Sequence, residues 1–157
     1  MKNCGGYWFP DYETHMPAWM EEKNQKDPLG RLMYQGAKQA KALSITEDIR
    51  VFVDVGAHVG TWAGTMEHVF DRVIAFEPAR EHIECLKKNA PKAEVFEFAL
   101  GDEDGEASLV RTIDNTGMTH LAKGGGTPVK RFDGLGYDGP IDLVKLDCEG
   151  YELLSRS

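Results

Sequence analysis

The stretch VFVDVGAHVGTW carries two glycines where an apolar, strand-like run gives way to a predicted helix. Gly56 ends the run, and Gly60 and Thr61 open the helix. Glycines at such a turn let the backbone approach a ligand closely, and the N-terminus of a helix offers unpaired N–H groups. The stretch therefore predicts a ligand-binding turn between a buried strand and a helix.

The spacing of these glycines, D-x-G-x-x-x-G counted from Asp54, differs from the G-x-G-x-x-G of nicotinamide dinucleotide enzymes. In that fingerprint the middle glycine makes room for a pyrophosphate. Ala57 and His58 take its place here and leave less room for two phosphates. The spacing favours a ligand with an uncharged linker, such as S-adenosylmethionine.

An acidic residue stands at the end of the next predicted strand, RVIAFEP. Glu77 lies 21 residues after Gly56, close to the ~20-residue offset at which an acid meets ribose hydroxyl groups in related folds. Pro78 then stops the strand. A carboxylate here can accept from both ribose hydroxyls, and the alternative is that Glu77 only caps the helix beginning at PAREH.

A second group of charged residues follows the last predicted strand, IDLVKLD. Strand alternation puts Lys145 and Asp147 on one side, and Glu149 lies just beyond, in a turn. Two carboxylates and a lysine could orient and deprotonate a substrate hydroxyl, or bind a metal ion. The alternative is a Lys145–Asp147 ion pair that only fixes the strand and contacts a cofactor.

The elements that position these residues alternate between strands and helices, after an aromatic segment at residues 1–30 that we interpret as an arm or lid. The predicted helices are RLMYQGAKQAKALS, TWAGTMEHVF and AREHIECLKKNA, and the predicted strands are RVFVDVG, RVIAFEP, AEVFEFAL and IDLVKLD. Asp104-Gly105 signals a hairpin in GDEDGEASLVR, followed by a glycine-rich loop, NTGMTHLAKGGG. This alternation predicts an α/β fold with a mostly parallel sheet and helices on both faces.

Open parallel sheets bind ligands at the carboxyl ends of their strands. That rule gathers the 54–60 turn, Glu77, Ala99, Leu100 and Asp147 around one crevice. The sequence therefore predicts that the two groups of chemically active residues share one site.

The composition of the chain limits the classes of partner and the cellular location that we expect. A net charge of -8 argues against nucleic acid and anionic membranes as partners, and no apolar run is long enough to span a bilayer. The start, MKNCGGYWFPDYE, lacks the apolar core of a secretory signal, and three scattered cysteines suit reduced thiols in a cytoplasm. His15, His68, His82 and His120 have no metal-site spacing and are interpreted as surface or loop residues, with the alternative that His120 reaches a substrate.

Taken together, VFVDVGAHVG, AFEP, FALGDEDGEASL and IDLVKLDCEGYE resemble the FkbM-type family of S-adenosylmethionine-dependent methyltransferases, and K-x-D-x-E-G is the most family-specific element. The resemblance runs from about Tyr34 onward and makes residues 31–157 a methyltransferase domain. It implies a three-layer, Rossmann-like class I fold, S-adenosylmethionine as cofactor, and methyl transfer to a hydroxyl of a sugar or another small molecule.

The resemblance also implies roles for individual residues. The 54–60 turn would hold the methionine end of the cofactor, and Glu77 would bind its ribose. Ala99 and Leu100 would contact the adenine, and Asp147 would face the reaction centre. His58 stands where the family more often has asparagine. The candidate cofactor-binding residues are Asp54, Gly56, Ala57, His58, Gly60, Thr61, Glu77, Pro78, Ala99, Leu100 and Asp147, and the candidate catalytic residues are Lys145, Asp147 and Glu149.

The family continues after E-G-Y-E-L with a helix and three more strands, whereas this sequence reads LLSRS and ends. The complete sheet of such folds has the strand order 3-2-1-4-5-7-6. We therefore expect only the strands 3-2-1-4, with a hairpin insertion, in this sequence. The strand IDLVKL would then be an exposed apolar edge, which predicts self-association. Two other interpretations stay open: a truncated module that binds cofactor without catalysis, and a NAD(P)-dependent oxidoreductase.

Overall fold

The structure, a computed structural model, describes residues 1–111 and 115–148. Its helices are α1 (His15–Lys23), α2 (Gly36–Ile45), α3 (Ala63–Met66) and α4 (Arg80–Asn89). Its strands are β1 (Lys2–Cys4), β2 (Tyr7–Phe9), β3 (Val51–Val55), β4 (Arg72–Phe76), β5 (Glu94–Phe96), β6 (Ala99–Leu100), β7 (Gly105–Val110), β8 (His120–Lys130) and β9 (Leu143–Leu146).

The centre of the molecule is a four-stranded sheet in the order β5-β4-β3-β9, with every neighbouring pair parallel. Numbered along the chain, these strands give the predicted order 3-2-1-4, the arrangement of one side of a Rossmann-like sheet. Strand β3 lies in the middle and all five of its residues are buried. A strand buried on both faces needs apolar side chains on both, which explains the nearly continuous run VFVDV.

The two faces of the sheet are covered differently. Phe52 points to the face where Met66 and Leu86, from α3 and α4, complete the core. Val53 points to the opposite face. Helical cover was predicted for both faces, but in the described part of the chain the second face is covered by strand β6 and by segments around Phe98 and Phe132.

A second sheet holds β6, β8 and β7 in that order, and it corrects the predicted hairpin. Asp104-Gly105 is not the tip of a hairpin, because β7 pairs instead with β8, which lies 10 or more residues further along the chain. From His120 onward, the predicted glycine-rich loop is part of β8, where Gly124 and Gly126 adopt positive φ near a register shift at Ala107/Ser108. The predicted strand AEVFEFAL is also divided, since β5 joins the central sheet and β6 the second one.

The aromatic N-terminal segment packs against the rest of the molecule. Tyr7, Phe9 and Met20 are buried against Val59 and Cys85. The segment predicted to be an arm or lid is thus held by an apolar contact along β2 and α1.

Two predicted helices are shorter than their patterns suggested. Helix α2 begins at Gly36 rather than at residue 31, and α3 has four residues.

In the described part of the chain, strand β9 pairs with β3 alone, and self-association through its other edge stays a prediction. Within that part, no helix has both the length and the apolar character needed to cross a bilayer.

Gly56 sits where strands β3 and β9 end side by side. Its φ is +73°, in the left-handed region, and a Cβ placed on it would lie 2.1 Å from the carbonyl oxygen of Asp147. The sequence suggested that this glycine makes room for a ligand, whereas the structure shows that it makes room for the backbone of the neighbouring strand. Both its backbone conformation and this contact require glycine.

Replacing Gly56 with alanine is expected to lower the free energy of unfolding by about 2–5 kcal/mol, since the left-handed conformation costs about 1–2 kcal/mol and the overlap adds about 1–3. Gly30→Ala is the matched control, because Gly30 has φ +80° and nothing within 4 Å of an added Cβ. It should lose about 1–2 kcal/mol. Urea unfolding of both variants measures the difference, and equal losses would show that the Gly56–Asp147 approach is unimportant.

Candidate active site

A cavity opens at the carboxyl ends of three of the four parallel strands, β3, β4 and β9. It is walled by the turn after β3, the end of β4, strand β6, the end of β9, and residues from the N-terminal segment and the second sheet. The candidate residues that line it are Gly56, Ala57, His58, Thr61, Glu77, Pro78, Ala99, Leu100, Lys145 and Asp147.

Two candidates of the described part, Asp54 and Gly60, do not line the cavity. Asp54 is fully buried behind Lys145, and Gly60 faces Leu86 of α4, which an added Cβ would approach to 2.4 Å. Glu149 lies outside the described residues. Asp54 and Gly60 therefore influence the cavity indirectly, by positioning residues around it.

Glu77 reaches the cavity wall, but most of its hydrogen-bonding capacity is used by the protein. One oxygen accepts from the backbone N–H of His58 at 2.8 Å. The other accepts from the backbone N–H of Ala79 at 2.9 Å and from Nδ1 of His82 at 3.1 Å. A carboxylate has about four acceptor positions, so roughly one remains, on the oxygen facing His58. Glu77 thus caps the chain entering α4, and it keeps room for one ligand hydroxyl rather than two.

The turn after β3 offers fewer free N–H groups than the sequence suggested. The N–H groups of Gly56 and Ala57 both donate to the carbonyl of Phe76, and that of Gly60 donates to Ala57. With the N–H of His58 bound to Glu77, four of the donors in this turn are satisfied inside the protein. Helix α3 has only four residues, so it offers a ligand a short N-terminus only.

A buried ion pair joins the central strand to β9. The ammonium of Lys145 lies 3.0 Å from Oδ1 of Asp54 and donates to the carbonyl of Gly56 at 2.9 Å. Asp54 is fully buried, and its Oδ2 has no hydrogen-bond partner among the described residues. The predicted partner of Lys145 was Asp147, but that carboxylate is further away, at 3.9 Å.

The charges of this pair depend on each other. Burial raises the pKa of Asp54, and the Lys145 ammonium opposes that rise. Burial works against the charge of Lys145, but the carboxylates of Asp54 and Asp147 outweigh it, so the pKa of Lys145 is raised. Lys145 therefore stays positively charged next to the cavity, and its ammonium favours the ionised form of Asp54.

Among the described acids of the site, Asp147 is the most accessible, with 44% of its side chain exposed. Two of the three ammonium hydrogens of Lys145 have partners, Asp54 and Gly56, and the third has no partner within hydrogen-bond distance in the described part. A carboxylate and an ammonium donor thus stand side by side at one end of the cavity. They can accept from and donate to the same ligand oxygen.

His82 was interpreted as a surface residue, and the structure corrects this. It is 2% exposed and binds Glu77, and its ring lies edge-on to that of His58 with centroids 4.2 Å apart. The signal was present in the sequence, since His82 stands four residues before the buried Leu86 on the same face of α4. Burial, together with the neighbouring His82, holds the pKa of His58 well below its ordinary value.

Other contributors to the site come from distant parts of the chain. Met16, Thr116 and His120 line the cavity, and Glu13 is fully buried beside Thr116. Sequence reasoning missed Glu13 and Thr116, because nothing local marks a contact between residues 103 positions apart. Within the described residues, no three His, Cys, Asp or Glu side chains are grouped closely enough to hold a metal ion.

Replacing Lys145 with methionine is expected to lower the free energy of unfolding by about 3–5 kcal/mol near pH 7, because it leaves Asp54 buried without a partner. The folded variant then holds a proton on Asp54 more readily than the unfolded chain does. Stability should therefore fall as the pH rises above the unfolded Asp pKa of about 3.9, and recover on acidification.

Lys87→Met is the matched control, because the Lys87–Glu97 pair is more than half exposed on both sides. It should change stability by about 1 kcal/mol or less. Urea unfolding of both variants between pH 5 and pH 8 makes the comparison, and a Lys145 variant as stable as the control at every pH would contradict the role given to the buried pair.

No family model and no curated protein matches this sequence. Among solved structures, the chain resembles the C-terminal domain of precorrin-6Y C5,15-methyltransferase from Rhodobacter capsulatus, with 19% identity and a TM-score of 0.38. The match covers 51% of this chain and 46% of that one, so it spans less than half the length of that solved chain.

Proposed function

We propose that this chain carries the S-adenosylmethionine site of a methyltransferase, with the cofactor in the cavity at the strand ends. The observation that carries the proposal is the turn after β3, whose glycines serve the packing of the protein and whose N–H groups are largely used within it. A pyrophosphate needs such groups free, whereas a thioether-linked nucleoside does not. The turn therefore favours an adenosyl ligand without phosphates.

The walls of the cavity suit the two ends of such a ligand. Pro78, Ala99 and Leu100 form an apolar surface against which a flat adenine can pack. Glu77 lies beside them with about one free acceptor position, enough for one ribose hydroxyl.

Charge in the cavity favours a cation. Glu77 and Asp147 line it, Asp54 lies just behind, and Lys145 is the ammonium set against these three carboxylates in the described part. This negative excess attracts a sulfonium group and repels paired phosphates. Electrostatics thus agrees with the backbone geometry in favouring S-adenosylmethionine over a nicotinamide dinucleotide.

The chemistry supplied by the bound cofactor is a methyl group already activated by the positive sulfur, so the protein mainly binds and orients. Asp147 is placed to accept the proton of an acceptor hydroxyl, and Lys145 to hold its oxygen. Glu149, outside the described residues, is a second candidate base. The finer assignment, to the FkbM type acting on a hydroxyl of a sugar or small metabolite, rests on the resemblance of K-x-D-x-E-G.

The proposal is tested by calorimetric titration of S-adenosylhomocysteine, its 2′-deoxy and 3′-deoxy analogues, and NAD into the purified chain. We expect saturable binding of S-adenosylhomocysteine, about tenfold or more weaker binding of one deoxy analogue, and no binding of NAD. In Glu77→Gln that deoxy penalty should shrink to about twofold, because the acceptor of the hydroxyl has changed.

Glu97→Gln is the matched control, an exposed acid whose loss should leave every affinity within about twofold. Thermal unfolding of each variant checks that the fold is intact. Binding of NAD in place of S-adenosylhomocysteine would overturn the proposal in favour of an oxidoreductase. Binding of neither by a folded sample would leave the cavity without its proposed cofactor.

A further inference from the structure

A buried hydrogen-bonded chain connects the N-terminal segment to the turn after β3. Glu13 is fully buried, and its two oxygens accept from different directions. One accepts from the backbone N–H of Met16 at 2.8 Å, and the other from the backbone N–H of Thr116 at 2.7 Å and from the Thr116 hydroxyl. The same hydroxyl lies 2.7 Å from Nε2 of His58. Three segments far apart in sequence are thus joined through one carboxylate and one hydroxyl.

The direction of these hydrogen bonds fixes a proton on His58. A threonine hydroxyl has one hydrogen, and here it is donated to the Glu13 carboxylate. The hydroxyl can therefore only accept from His58, so Nε2 of the imidazole must carry the hydrogen. Glu13 selects this tautomer without touching the histidine.

The other side of the His58 ring favours the neutral form. Nδ1 is buried and has no hydrogen-bond partner among the described residues, so a second proton there would find no acceptor. Two titratable groups, His82, edge-on at 4.2 Å, and the Lys145 ammonium, oppose an added positive charge on the ring. Glu77 binds the backbone N–H of His58 rather than its ring.

We propose that Glu13 is a positioning residue for the cofactor site: through Thr116 it fixes the proton of the neutral His58 imidazole on Nε2, in the turn after β3. The inference rests on the proposed function for its consequence, since a neutral ring preserves the negative excess that favours a sulfonium ligand. His58 also has a left-handed φ of +53°, so its backbone needs a tether to stay in place. The backbone N–H that binds Glu77 belongs to this same residue.

The tautomer is measured in the ligand-free protein by long-range proton–nitrogen correlation NMR, which distinguishes protonated from unprotonated imidazole nitrogens. Wild type is expected to show His58 protonated on Nε2. Glu13→Gln should lose this preference, because an amide cannot accept from both Met16 and Thr116 and turns its NH2 group toward one of them. Glu21→Gln is the matched control, the same change at an exposed position of α1, and should match wild type.

A second pair of variants keeps the test decisive if Glu13→Gln does not fold. Thr116→Val removes the hydroxyl and should release the His58 tautomer, whereas Thr116→Ser keeps the hydroxyl and should retain it. A wild-type ring protonated on Nδ1 would overturn the inference. So would a ring unaffected by both Glu13→Gln and Thr116→Val.

The consequence for the cofactor is measured separately, by titrating S-adenosylhomocysteine into the same variants. Glu13→Gln should bind it about threefold to tenfold more weakly than wild type, and Glu21→Gln within about twofold. If Glu13→Gln changes the tautomer but not the affinity, the positioning role is overturned. If wild type does not bind the ligand at all, the proposed function fails, while the NMR comparison still decides how His58 is held.

Discussion

The ammonium of Lys145 is the contact on which the site depends. It joins the fully buried Asp54 of the central strand to β9, and it also binds the carbonyl of Gly56 at the start of the turn. A buried carboxylate without this partner would be too costly to keep ionised. The same three residues therefore fix the end of the sheet, begin the turn that shapes the cavity, and supply one of its charges.

The cavity is built on this contact by segments that have little local connection with one another. The ends of the parallel strands, the second sheet and α4 line the cavity, and the N-terminal segment contributes Met16 to its lining. Glu77 shows how closely structure and function are combined. It holds the turn, the cap of α4 and His82 in one network, and it still presents an acceptor to the cavity.

Much of the fold follows from local patterns in the sequence. Strands β3 and β4 are buried on nearly every residue, so their apolar runs could be read directly, and the apolar face of α4 recurs at helical spacing. The hairpin was mispredicted because Asp104-Gly105 is a strong local signal, whereas the partner of β7 is set by packing against a strand further on. Helix α3 was predicted too long for a related reason. Gly64 lies tightly against the backbone of Asn89, and a contact between distant segments cannot be read from the local sequence.

The site was only partly predictable. Glycines, acids and a lysine at strand ends marked the cavity, because the carboxyl ends of parallel strands converge. The contacts that these residues make could not be predicted from the sequence. Gly56 faces the backbone of Asp147, Lys145 lies closer to Asp54 than to Asp147, and Glu13 meets Thr116 across 103 positions. Each of these contacts depends on how two distant segments approach, and single-sequence patterns carry no information on that approach.

The place of β9 in the sheet has a consequence for how the protein is made. Strand β3 is the most buried of the sheet, but one of its two neighbours, β9, is synthesised long after it. A nascent chain on the ribosome therefore carries the apolar flank of β3, and the charge of Asp54, without their final cover. Until Lys145 has emerged and reached Asp54, this apolar strand stays without its last neighbour, and exposed surface of this kind makes an incomplete chain prone to aggregate.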